Sequence, residues 1–203
     1  MTDATKVAAD RDALVGRATG AMVMALFGLL WALGCGAVPG GMPVPLLFAS
    51  SAVVTAVLVV AGLRLRRASL TRGTRSSRRH ASPANADRTR RRFRLVGILE
   101  GLGIGIVVLV CVRLGRPELI PSAVALVVGL HFLPLATLFR VPLYHATGAA
   151  LCLVTVATPL VAAPMGAQTV AWQVVPGLGA AVILWATSAV LVVGGLESIL
   201  RGV

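Results

Sequence analysis

Acidic side chains are nearly missing from this sequence: aspartate and glutamate together occur seven times in 203 residues, against 19 lysines and arginines. Charged residues of both signs make up 13% of the chain, about half of the ~25% typical of a soluble domain. So few polar groups cannot coat a water-facing surface, which excludes an ordinary soluble globule. Cysteine is scarce too. Cys35, Cys111 and Cys152 sit singly inside apolar runs with no C-x-x-C spacing. That pattern argues against a disulfide framework or a thiolate metal site, and for three small buried hydrophobes.

Catalytic signatures are also lacking. The sequence holds no H-E-x-x-H zinc helix, no G-x-x-x-x-G-K-[ST] phosphate loop and no G-x-S-x-G elbow. No apolar run contains an aspartate, and Ser50 and Ser51 have no base nearby in sequence. An aspartyl intramembrane protease, an ordinary hydrolase and an ATP-driven pump are therefore not expected, nor is any metal or cofactor. Aromatic residues are only 4% of the chain, so interfacial anchoring by Trp and Tyr is sparse.

What is present is apolar: 57% of residues are hydrophobic and the mean hydropathy is +0.90. A bilayer crossing needs about 20 apolar residues. Six such runs are read at 19–38, 44–63, 95–112, 118–139, 141–163 and 170–196. Pro39, Pro43, Pro117, Pro121, Pro142 and Pro164 punctuate the joints, as chain breakers at helix ends should. The first run is read as a retained helix, because it is longer than a signal-peptide core. Ala32 also replaces the large aliphatic residue that a lipoprotein box would place three before Cys35. The expected fold is all-α, a polytopic transmembrane bundle of six spans in three hairpins. Its segments are an N-terminal stretch (1–18), hairpins at 19–63, 95–139 and 140–197, an arginine-rich loop (64–94) and a tail (198–203).

The excess charge is concentrated in that loop. Arg64, Arg66, Arg67, Arg72, Arg75, Arg78, Arg79, Arg88, Arg90, Arg91, Arg92 and Arg94 face one acid, Asp87. Such a composition cannot bury a core and reads as disordered or adsorbed to anionic head groups. Basic clusters also neutralise nucleic acid, but arginines between two spans are first a topology signal. Lys6, Arg11, Arg17, Arg140 and Arg201 fall on the same side as the loop, whereas the joints around Gly40 and Met165 carry no charge. Only Arg113 and Arg116, with Glu118, break the pattern. Both termini are expected in the cytoplasm of a bacterial inner-membrane protein. The expected partners are the bilayer, its anionic head groups and further copies of the chain.

Two constellations stand out. Gly97, Gly101 and Gly105 are spaced by four on the third span, a strip that allows close helix–helix approach. Glu100 lies on the same helix, ~9 Å past Arg94 and ~60–100° around the helix from Gly97 and Gly101. A carboxylate at that depth is costly unless protonated, partnered or wetted. It should therefore face protein, shielded by helices packed on the glycines, with His131 or His145 as its nearest polar partner. His131 lies ~13 Å from Arg140 along the fourth span. Together Glu100, His131, His145 and Glu197 occupy one half of the membrane on four helices. If they converge, they form a polar cluster able to bind a cation or relay a proton.

The string Leu130-His131-Phe132-Leu133-Pro134-Leu135-Ala136, followed by Pro142-Leu143-Tyr144, resembles an uncharacterised family of small polytopic bacterial membrane proteins. That family carries an H-F-x-P-L-A then P-L-Y pattern. The resemblance spans roughly 93–148 and implies a membrane protein without an assigned activity. Two functional readings stay open at this point. One is a small proton- or cation-linked transporter or channel subunit built on Glu100. The other is a non-catalytic scaffold or lipid-responsive protein that contacts partners through its arginines. A membrane enzyme acting on a lipid or quinone stands third.

Overall fold

In the computed structural model, the described residues are 3–36, 44–71, 83–166 and 170–201, and they form six long helices and no strand. These are α1 (Asp3–Gly36), α2 (Val44–Thr71), α3 (Pro83–Arg113), α4 (Ile120–Phe139), α5 (Leu143–Ala162) and α6 (Ala171–Leu200). Each contributes to a stretch long and apolar enough to cross a bilayer, from 22 residues in α1 to 30 in α6. At ~1.5 Å per residue the shortest reaches ~33 Å, against ~30 Å of hydrocarbon. A helix satisfies its own backbone hydrogen bonds, which is why lipid permits this architecture. The protein is an all-α, multi-pass transmembrane bundle.

Helix ends follow local chemistry. Single 3-10 turns at Pro117–Leu119 and Ala163–Met165 join the spans where proline removes a donor. Gly115 and Gly166 take φ of 67° and 99° at those turns. Arg140 closes α4 in a left-handed conformation, φ 54° and ψ 40°, two residues before Pro142. Pro134, Pro159 and Pro176 lie inside helices instead, tolerated because neighbouring helices re-satisfy the freed groups.

Consecutive helices run antiparallel, and the three expected hairpins α1/α2, α3/α4 and α5/α6 all pack. Four further interfaces join them: α4 against α5, α6 against α2 and α4, and α1 against α6, the most extensive of all. The α1 face is alanine-rich, with Ala18, Ala21, Ala25 and Ala32 fully buried. Ser188 on α6 donates to the Ala21 carbonyl at 2.8 Å, and Arg17 reaches Ser198 Oγ at 3.1 Å. The apolar window of α6 is 44% buried and that of α3 only 6%, so α6 is central and α3 peripheral. Arg17, Arg66, Arg94, Arg140 and Arg201 lie toward one end of the bundle, and Arg113 and Arg116 at the other.

The stretch read as a disordered loop is partly helical. Helix α2 continues through Arg64, Arg66 and Arg67 to Thr71, and α3 begins at Pro83, ahead of Arg90, Arg91 and Arg92. Arginine, leucine and alanine are strong helix formers. Burial supplies the rest on the α2 side. Leu65 is fully buried with Leu14 and Ala18, Ser69 is buried as well, and Leu65 abuts Gly195. On the α3 side Phe93 meets Phe139 edge-on at 5.9 Å. Arg72, Arg75, Arg78 and Arg79 lie outside the described residues. Helix α6 likewise runs through the first half of the expected tail, to Leu200.

Candidate functional site

Helix α3 presents a single stripe to α4. Val96, Glu100, Gly103, Ile104, Val107, Val108 and Cys111 are the partly or fully buried positions of its apolar part. Their spacing of three and four is the period of one helix face. Gly103 lies close to the facing helix, where an added Cβ would sit 3.1 Å from Val127. The strip Gly97, Gly101 and Gly105 behaves differently: a Cβ at any of the three would meet nothing within 4 Å. These glycines flank the α4 contact, so the expectation that helices pack on them and shield Glu100 is not met. Close glycine packing occurs elsewhere, at Gly28 against Trp185 and at Gly129 against Gly148.

Glu100 instead finds its cover on α4. Its Oε2 stands 3.4 Å from Nδ1 of His131. That is ion-pair range without hydrogen-bond geometry, and Nδ1 is buried with no hydrogen-bond partner among the described residues. The side chains retain 24% and 13% of their exposure, so the pair is largely withdrawn from the surface. The span of α3 runs Arg91–Arg113, which places Glu100 ~14 Å from Arg91 and ~9 Å from Arg94 along the helix. His131 enters from the antiparallel α4 at matching depth. An imidazole nitrogen and a carboxylate oxygen so placed are a potential donor and acceptor within reach of one another.

The other two residues of the expected cluster stay apart. His145 is exposed near the start of α5, and Glu197 is exposed on α6, bound to Arg201 at 3.2 Å. Helix rotation separates them: α5 turns Tyr144, Thr147 and Leu151 inward, and α6 turns Leu191, Val192 and Gly195 inward. Among the described residues no group of three His, Cys, Asp or Glu could hold a metal. Glu118 pairs with Arg116 at the opposite end of the bundle.

Beside the pair lies a cleft of about 360 Å³. Phe27, Leu30, Trp31 and Cys35 of α1 form one wall, Glu100 and Ile104 of α3 another, and Val124 and Val128 of α4 the floor, with Gln173 and Gly177 of α6 at the far side. Phe27 and Leu30 are exposed at its rim. The cleft volume falls within the ~300–1,000 Å³ of small-molecule sites. It exists because α3 rests on α4 and not on the glycine strip, which leaves a gap toward α1. Sequence spacing offered no sign of Phe27, Trp31 or Gln173 as its lining, since nothing along the chain says which helices face each other.

Fold and site define a class: a six-helix membrane protein with a carboxylate on the wall of an intramembrane cleft and an imidazole 3.4 Å from it. No family model, curated protein or solved structure matches the chain.

Proposed function

We propose that this chain is a small proton- or cation-linked transporter or channel subunit of the bacterial inner membrane, with Glu100 as its titrating group and His131 as the proton partner. The observation that carries this reading is the 3.4 Å approach of Glu100 to His131 beside an apolar cleft at mid-span. A membrane-embedded acid costs several kcal/mol unless its proton or counter-ion is supplied, so a site that retains one is poised to exchange them. In proteoliposomes with an imposed pH gradient, wild-type protein should pass protons, and Glu100→Gln should lower the flux to that of empty vesicles. Equal flux from both proteins would remove the transporter reading and leave a scaffold that acts through its arginines.

The arginine end is proposed to face the cytoplasm, supported by the clustering of positive charge at one end of the bundle. Reporter fusions after Arg79, Arg140 and Val203 should read cytoplasmic, and one after Gly41 external. An external reading at Arg79 would invert the assignment.

A further inference from the structure

We propose that the cleft between α1, α3, α4 and α6 binds a lipophilic organic cation, with Glu100 as its counter-ion. This rests on the reading of Glu100 as an exchangeable group and adds the chemistry of what exchanges. Charge complementarity is the first argument. Glu100 is the one ionisable carboxylate on the cleft wall, and no Lys, Arg or His lines it among the described residues. An anion would be repelled by that carboxylate, whereas a cation would be attracted to it and neutralise it.

The lining supplies the second argument. A small hydrated ion needs several oxygen ligands, and beyond Glu100 this cleft offers chiefly the Gln173 amide. Phe27, Leu30, Trp31, Ile104, Val124 and Val128 instead suit a ligand with an apolar body. Trp31 and Phe27 add aromatic faces, to which an organic cation is drawn. The exposed rim at Phe27 and Leu30 lets such a ligand arrive from among the acyl chains. Cation and apolar body together fit the site; either alone leaves half of it unused.

Tetraphenylphosphonium and tetraphenylborate are near-isosteric probes of opposite charge, and their equilibrium binding to the purified full chain in nanodiscs tests the proposal. The phosphonium should bind saturably, and the borate should not compete. Glu100→Gln should weaken phosphonium binding at least about thirtyfold, as expected when a desolvated charge loses its partner. Ile104→Trp, which keeps the carboxylate but fills the space, should also abolish it. Both variants are checked for an unchanged thermal midpoint, and a wild-type protein that binds neither probe, or both equally, overturns the proposal. So does binding that Glu100→Gln leaves intact. The proton-flux assay run without phosphonium separates the two ideas. Glu100-dependent flux with no phosphonium binding defeats the ligand class alone, and Glu100-dependent binding without flux defeats transport alone.

Discussion

Gly148→Leu is expected to destabilise the bundle by at least ~3 kcal/mol, the upper end of the usual cost of overpacking, while Gly101→Leu changes stability by less than ~1 kcal/mol. Helices α4 and α5 cross with backbones nearly touching. A Cβ at Gly148 would lie 2.6 Å from the Gly129 carbonyl oxygen and 3.1 Å from Phe132 Cβ. The first contact is with backbone, so no side-chain rotation can relieve it and the helices must separate. Association in lipid depends on van der Waals packing, and separation of this pair also loosens Phe132 from Tyr144, whose rings meet at 5.7 Å. At Gly101 a side chain enters open space, and leucine is the better helix former. Thermal unfolding in detergent, followed by circular dichroism, compares the two. Equal midpoints would show that the α4/α5 crossing does not need its glycines.

Trp185→Ala is the second large effect, expected at ~3 kcal/mol, the low end for large-to-small changes, because the ring is half-buried. The Trp185 indole ties three helices together. Its Nε1 donates to the Ala25 carbonyl of α1 and lies within bonding distance of Thr55 Oγ1 of α2, each at 3.2 Å. Its ring fills the space over Gly28, where a Cβ would lie 2.6 Å from Nε1. Trp185→Phe keeps most of the volume and loses the donor with the five-membered ring, so it should cost at least ~0.6–1.7 kcal/mol, the measured scale of interhelical hydrogen bonds in membranes, and less than alanine. The test is the same unfolding experiment on both variants. If phenylalanine costs as much as alanine, the hydrogen bonds and not the packing hold the three helices together.

Much of this architecture is legible along the chain because it is local. A segment in lipid must satisfy its backbone groups internally, so run length and composition alone predict six helices. Charge asymmetry likewise assigns most of the arginines to one end. Helix ends were less readable where packing overrides composition. Arg64–Arg67 looks like loop, yet Leu65 between them is held fully buried with Leu14 and Ala18.

The candidate site was half readable. Depth counting marks Glu100 and His131 at similar levels, and the structure brings them within 3.4 Å. His145 and Glu197 fall in the same half of the bundle, nearer the helix ends, but position along a helix carries no information about rotation, and their helices turn them outward. The glycine strip failed for a related reason. Spacing by four describes one helix surface and leaves its partner unnamed.

What the sequence determined by itself is therefore the number of spans, their apolar length and the end at which the positive charge gathers, because each follows from the solvent that a local segment can tolerate. Only the tertiary structure decided that α1 meets α6, that α3 leans on α4 with its glycines uncovered, and that a cleft opens beside Glu100. Those outcomes depend on which small residues on one helix match the bulk on another. Ala21 opposite Ser188 and Gly28 beneath Trp185 are pairings across more than 150 residues of chain, set by shape complementarity that no single helix encodes.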